Sequence, residues 1–469
     1  MTHYEPNPES VRSHTVPDWF HDAKLGIFVH WGLYSVPGWA PTTGPLHEVV
    51  AQEGWRSWFA RNPYAEWYLN SLRIPGSPTA EYHAQHYGAM PYAGFANAFN
   101  AAVHSWDPAA WADLFARAGA RYVVLTTKHH DGFLLWPSST PNPSVPGYHA
   151  NRDLVGDLTA AVRARGLTMG LYYSGGLDWT FNDRVIADVT DLFLGVPQSQ
   201  EYVAYAGAHL RELTARYRPA VLWNDIGYPG AADIWQLFAE YYNAVPEGVI
   251  NDRFIQAPVH DGQIDLEAVQ RAMVGGMLPQ PAHFDFRTPE YAVYPDIQPE
   301  KWEACRGLGF SFGYNRNETA ADMLSPAELI RSFVDVVSKN GNLLINVGPT
   351  GDGTIPPEQA ERLLALGAWL AVNGEAIYGT RPWERAEGRA SDGTPLRFTR
   401  GADALYAVLL DTPRRARITI EGLRAPSGAR VTLLGHEAPL AAVQEDGGLT
   451  VELPELLEAP AHALRIGSG

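Results

Sequence analysis

Up to about residue 376, short apolar runs alternate with amphipathic stretches of helical period. Gly26-Ile27-Phe28-Val29-His30-Trp31-Gly32 is apolar at consecutive positions, which predicts a strand buried on both faces. Tyr122 to Thr127, Leu167 to Leu171, Ala220 to Asn224, Gly248 to Arg253, Gly309 to Tyr314 and Asn342 to Gly348 read the same way. Phe284-Asp285-Phe286-Arg287 leads into Thr288-Pro289-Glu290-Tyr291. Between these runs lie helices with recognisable ends. Asp107-Pro108 supplies an N-cap and a first-position proline, and Gly119 closes that helix. Others are predicted over Asp153 to Arg165, Ser199 to Tyr217, Ala231 to Tyr242 and Pro357 to Val372. Ser325-Pro326-Ala327-Glu328 is a capping box opening a helix to Lys339. About eight strand–helix alternations predict a (β/α)8-like barrel over residues 1–376. The alternative, an open doubly wound sheet, lacks its Gly-x-Gly-x-x-Gly dinucleotide fingerprint. Residues 33–105 show no clear period and are rich in Pro, Gly, Tyr and Trp; connections of that length are usually functional.

After Gly379 the pattern changes. Leu396 to Thr399, Ala404 to Leu410, Arg417 to Ile420, Ala429 to Leu434, Leu449 to Leu453 and Ala463 to Ile466 are short strands separated by turn residues. They predict a C-terminal antiparallel β-sandwich over residues 377–469. It carries no dense polar cluster, so it reads as an accessory module.

Composition narrows the functional classes. A formal charge of −17 opposes phosphate backbones and anionic lipid, so neither nucleic acid nor a membrane surface is an expected partner. The single cysteine, Cys305, excludes an intrachain disulfide and a thiolate metal cluster. Met1 to Pro6 shows no basic patch followed by an apolar segment, and no apolar stretch approaches a membrane span. A soluble cytoplasmic protein is expected, and a homo-oligomer is left open. The 15 tryptophans fit core packing or a cleft that stacks sugar rings.

A barrel gathers strand carboxyl ends at one mouth. Here those ends carry His30, Trp31, His129, His130, Tyr172, Trp223, Asp225, Arg253, Glu290 and Phe312. Taken alone, Asp225 reads as a turn cap and Glu290 as a loop carboxylate. Glu66, in Tyr64-Ala65-Glu66-Trp67-Tyr68, is either a surface residue or a hydroxyl acceptor in a cleft. Their recurrence at one end of successive strands favours chemistry. Imidazoles, aromatics, one guanidinium and two carboxylates are what breaking a glycosidic bond requires: one carboxylate attacks the anomeric carbon, and a second carboxyl protonates the leaving oxygen and later activates water. Asp225, short and fixed at a strand end, is the nucleophile candidate. Glu290, longer and on a loop after Pro289, is the acid/base candidate. A metal site built on His129 and His130 with His30, Asp131 or Asp225 is the competing reading. Against it, neighbouring side chains on an extended segment point to opposite faces, and there is no His-Glu-x-x-His helix.

Four further stretches make the chain recognisable: Lys24-Leu25-Gly26-Ile27-Phe28-Val29-His30-Trp31-Gly32, Lys128-His129-His130-Asp131-Gly132-Phe133, Leu222-Trp223-Asn224-Asp225 and Asn342-Leu343-Leu344-Ile345-Asn346-Val347-Gly348-Pro349. With Tyr172-Tyr173-Ser174-Gly175-Gly176-Leu177-Asp178-Trp179, they resemble a bacterial α-L-fucosidase of glycoside hydrolase family 29 from about Trp19 to Arg381. The resemblance implies a retaining exo-acting enzyme without cofactor or metal, acting on terminal α-L-fucosyl groups of oligosaccharides or glycoconjugates. It implies Asp225 as nucleophile and Glu290 as acid/base, the latter from Asp285-Phe286-Arg287-Thr288-Pro289-Glu290-Tyr291. It further implies a fucose pocket of His30, Glu66, Trp67, His129, His130, Tyr172, Trp223 and Arg253, with Phe312 near the sugar methyl. The stretch between Arg253 and Glu290 is longer than in relatives, and Phe254 to Pro281 is expected to form a lid, a subsite wall or an oligomer contact. The readings from other classes are a sugar-binding protein with an inactive barrel, which should lack one carboxylate, and a metal-dependent hydrolase.

Overall fold

The computed structural model describes residues 3–260, 262–274, 280–426 and 428–468. Seven strands form one curled parallel sheet: β1 Leu25–Val29, β2 Tyr122–Lys128, β3 Thr168–Tyr173, β4 Val221–Asn224, β5 Val249–Ile250, β6 Trp302–Gly307 and β7 Gly341–Val347. Their order is β5-β4-β3-β2-β1-β7-β6. Residues 285–290 close the gap between the two edges, through parallel bridges from Phe286 to Asn251, Arg287 to Trp302 and Glu290 to Cys305. The eighth place in the barrel is therefore filled by an irregular segment. Pro289 has no N–H to donate, and Tyr291 turns the chain with φ 49°, so a regular ladder cannot continue there.

Period-two alternation sorts the strand residues between two cores. Leu25, Ile27 and Val29 of β1 face the surrounding helices, as do Val123, Leu125, Leu171, Leu222, Leu343 and Ile345. Phe28, Tyr122, Val124, Tyr172, Val221, Trp223 and Leu344 fill the barrel interior, with Phe20 and Ala23 packed against them. Gly26 faces Tyr122 in the register; a Cβ there would lie 2.4 Å from the Tyr122 ring. The same alternation, carried one step past the strands, turns His30 and Asp225 into the barrel mouth. It turns Trp31 away, against Phe99, Trp106 and Trp111, so Trp31 does not belong to the site.

Helices Pro108–Arg117, Leu154–Ala164, Gln200–Tyr217, Ile234–Ala244, Pro326–Ser338 and Pro357–Asn373 surround the sheet. Two expectations are corrected. Gly309 to Tyr314 is not a strand, because its amides are committed to side chains: Phe310 and Ser311 N–H donate to Glu318, and Gly313 N–H to Glu66, all at 2.7 Å. The strand is Trp302–Gly307, whose Glu303 and Arg306 disguise it in the sequence. Residues 33–105 hold five α-helices of five to ten residues, too short to display a period: Leu46–Glu53, Trp55–Ala60, Tyr68–Leu72, Pro78–Tyr87 and Phe95–Ala102. Within the 254–281 stretch a hairpin pairs Val259–His260 with Gln263–Ile264, and Leu266–Val274 is a helix; positions 261 and 275–279 lie outside the described residues.

The C-terminal strands are β8 Arg381–Arg389, β9 Pro395–Arg400, β10 Ala404–Leu409, β11 Arg417–Glu421, β12 Ala429–Leu433, β13 Pro439–Leu440, β14 Ala442–Glu445, β15 Gly448–Glu452 and β16 His462–Ser468. They form antiparallel sheets ordered β8-β9-β10-β16-β12-β13 and β11-β15-β14 around a separate apolar core. β8, β13 and β14 are additional to the six strands expected. Trp369 Nε1 donates to the Ala461 carbonyl at 2.9 Å, and Lys339 pairs with Glu387 at 3.0 Å, tying this module to two barrel helices.

Candidate active site

One cavity at the carboxyl end of the barrel is lined by His30, Glu66, Trp67, His129, His130, Tyr172, Trp223, Asp225, Arg253, Glu290 and Phe312. The fold thus brings together eleven of the twelve side chains singled out in the sequence, Trp31 being the exception. Phe28, Tyr64, Ile226 and Cys305 also line it and were missed. Phe28 is two residues before His30, so strand alternation alone could have found it.

Asp225 lies at the bottom. Its Oδ1 accepts from Arg253 Nη1 at 2.8 Å and from the Ile226 amide at 2.9 Å, and its Oδ2 accepts from the Tyr172 hydroxyl at 2.9 Å. Burial acts to raise its pKa, but the Arg253 charge, with His130 and these hydrogen bonds, outweighs it and holds the carboxyl below its ordinary value. Asp225 is therefore ionised. The backbone around it is over-determined: Gly176 N–H donates to the Asp225 carbonyl, Gly227 N–H donates to the Arg253 carbonyl, and Asn224 Nδ2 donates to the carbonyls of Gly227 and Arg253.

Arg253 connects the two acids. Its Nη2 reaches Glu290 Oε2 at 3.2 Å, its Nε donates to Thr288 Oγ1 at 2.9 Å, and its guanidinium lies 4.7 Å from the Trp223 ring centre. Glu290 Oε1 accepts from the Tyr64 hydroxyl at 3.2 Å. The Glu290 side chain is 33% exposed and that of Asp225 11%, so Glu290 stands on the solvent side of the cavity and Asp225 on the deep side.

Both acids precede a bulky residue in the left-handed region, Ile226 with φ 57° and Tyr291 with φ 49°. That conformation is strained for such side chains and persists only where surrounding contacts enforce it. The Tyr291 hydroxyl donates to the Phe310 carbonyl at 2.6 Å and accepts from Gly307 N–H at 3.1 Å, which anchors Glu290 to the loop bearing Phe312.

The remaining polar groups suit neutral hydroxyls. Burial lowers His30 to about 4 and His130 to about 3, and takes His129 well below its ordinary value. All three imidazoles are neutral near pH 7. His30 Nδ1 pairs with Asn346 at 2.7 Å and His130 Nδ1 with Ser174 at 2.6 Å, leaving each Nε2 as the second hydrogen-bonding atom of its ring. His129 Nδ1 is buried without a hydrogen-bond partner among the described residues. Burial raises Glu66 to about 8, so at neutral pH it carries a proton it can donate. Phe28, Trp223 and Phe312 supply apolar wall; the Trp223 ring is fixed by stacking on Tyr172 and by Nε1 donating to the buried Glu303 at 3.1 Å.

His129 and His130 both face the cavity, with ring centres 3.9 Å apart, contrary to the expectation of opposite faces. β2 ends at Lys128 and the chain turns at His130, so the extended-segment rule no longer applies to this pair. Even so, no group of three or more His, Cys, Asp or Glu among the described residues is arranged to hold a metal ion. No helix among the described residues is long and apolar enough to cross a membrane.

The geometry has counterparts in known proteins. The alpha-L-fucosidase family model matches residues 1–375, and that of the alpha-L-fucosidase C-terminal domain matches residues 392–466. The human tissue alpha-L-fucosidase is 34% identical over 468 residues, covering 97% of this chain and 88% of that protein. A crystal structure of the Thermotoga maritima alpha-fucosidase with a mechanism-based inhibitor is 44% identical, with a TM-score of 0.85, covering 99% of this chain and 100% of that one. A Thermotoga maritima alpha-L-fucosynthase in complex with alpha-L-Fuc-(1-2)-beta-L-Fuc-N3 is 45% identical, with a TM-score of 0.87 and the same coverage.

Proposed function

We infer the chemistry of this cavity from one premise: the chain belongs to the alpha-L-fucosidase family. It is a glycoside hydrolase that removes α-L-fucosyl groups. The observation that carries the mechanism is the single Arg253 guanidinium in contact with two carboxylates at different depths of one cavity. In our reading, ionised Asp225 attacks the anomeric carbon from the deep side while Glu290, towards solvent, passes its proton to the departing glycosidic oxygen. A fucosyl ester on Asp225 results. Glu290, now a carboxylate, takes a proton from water as that water attacks the same carbon, and Asp225 leaves as a carboxylate. Arg253 faces the Asp225 carboxylate and the protonated Glu290 at the start, and the Glu290 carboxylate in the ester, so one negative charge stays beside it throughout. Two displacements at one carbon retain its configuration. Proton NMR during turnover tests this: α-L-fucose should appear first and mutarotate later, whereas β-L-fucose as the first product would overturn it.

The sugar ring hydroxyls are assigned to His30, Glu66, Trp67, His129 and His130. The apolar wall of Phe312, Phe28 and Trp223 is assigned to the 6-methyl group, which favours a 6-deoxy sugar over one with a 6-hydroxyl. Phe312→Ala should lower the preference for an α-L-fucoside over the matching α-L-galactoside by roughly tenfold, the usual value of one methyl-sized group in such a pocket. An unchanged ratio of kcat/KM values would remove Phe312 from that role.

A further inference from the structure

We propose that the cleft beside Asp225 binds an apolar leaving group, an aryl or alkyl aglycone, as the part of the substrate joined to fucose. This rests on the fucosidase reading above. The cleft shares Asp225, Ile226 and Arg253 with the fucose cavity, so the two spaces adjoin at these residues. It extends along Arg253 to Thr288, two residues before Glu290, which protonates the departing oxygen.

Its far wall is apolar. Helix Val189–Leu194 contributes Leu192 and Phe193, followed by Val196, and Ile255 and Ala257 face them from the stretch after β5. None of the helix residues is buried, although four of its six side chains are apolar. Isolated half-exposed apolar residues are ordinary, but a contiguous set beside a reaction centre marks a binding surface. Several polar atoms at the cleft's inner edge are occupied with one another. Asp252 Oδ1 accepts from the Thr288 amide at 3.0 Å and its hydroxyl at 2.6 Å, and Thr288 Oγ1 accepts from Arg253 Nε. A hydroxyl-rich group would find few free partners here and would leave its own polar atoms unpaired against the Leu192–Phe193 wall. An aryl ring or alkyl chain has no such cost. The inner cavity, in contrast, pairs neutral imidazoles and a protonated carboxyl with ring hydroxyls, so one substrate meets two chemically opposite surfaces.

The test uses leaving groups of differing apolar area on the full-length protein. Methyl and octyl α-L-fucoside leave with similar basicity, and α-L-fucosyl fluoride has almost no leaving-group surface. The parent enzyme should show a KM for the octyl compound at least ~tenfold below that for the methyl compound, given the contribution of each buried methylene. Phe193→Ser and, on the opposite wall, Ile255→Ser should each raise the octyl KM several-fold and leave fluoride turnover within twofold of the parent. Equal octyl and methyl KM values in the parent, or an equal loss on octyl fucoside and fluoride in both variants, would overturn the proposal. A parent enzyme inert to the fluoride and to every fucoside would instead overturn the fucosidase reading, which separates the two failures.

Discussion

Replacing Asp225 by glycine is expected to reduce kcat/KM on an aryl α-L-fucoside by on the order of 10⁴-fold, about 5 kcal/mol of transition-state stabilisation. The carboxylate is the only group assigned to form the bond to the anomeric carbon, and Tyr172 and Arg253 hold it ready at 2.9 and 2.8 Å. The substitution also vacates space beneath the sugar. Azide can enter there and attack the carbon from the side Asp225 occupied, with the aryl oxide departing and no ester forming. The product should be a fucosyl azide of inverted configuration, and turnover should recover at high azide concentration. Asp225→Asn serves as the control, since it keeps the shape and removes the charge; it should be as inactive as the glycine variant and show no azide rescue. A glycine variant that hydrolyses the aryl fucoside at the parent rate would end the assignment.

Glu290→Ala should produce a loss that depends on the leaving group. Proton donation contributes roughly 10²- to 10⁴-fold where the leaving oxygen is basic. On an alkyl fucoside or a disaccharide, kcat/KM should fall by about that range. On a dinitrophenyl fucoside, whose oxide departs without a proton, it should fall by less than about tenfold. kcat/KM is the correct quantity because it reports the first displacement. Arg253 complicates the variant in a useful way: it loses its Glu290 contact but keeps those to Asp225 and Thr288. Nucleophile placement should therefore survive. An equal loss on both substrates would mean that Glu290 shapes the cavity and donates no proton.

The amino-acid sequence alone specified a large part of this molecule. Barrel strands β1 to β5 and β7, six helices and the strand-rich C-terminal module follow from hydrophobic period, caps and turn residues, which act over a few residues. Asp225 and His30 were accessible to the same logic, since alternation along Val221, Trp223 and Asp225, or along Gly26, Phe28 and His30, points them inward. The local sequence left Glu66 open between a surface residue and a hydroxyl acceptor in a cleft; the family resemblance placed it and Trp67 in the pocket, because the short helices around them carry no readable period.

Long-range pairing decided the rest. β6 was hidden because Glu303 and Arg306 look wrong for a buried strand; Glu303 is accommodated by Tyr122 and Trp223, far away in the chain. Gly309 to Tyr314 looked like a strand until Glu318 and Glu66 claimed its amides. The barrel's irregular closure, the rings of His129 and His130 on one side, and the depth of Asp225 relative to Glu290 each depend on which segments meet. A local pattern records what a residue prefers to be buried against, but not which partner from hundreds of residues away arrives to satisfy its charge. Glu303, bonded to Tyr122 from 181 positions away, is where that difference is largest.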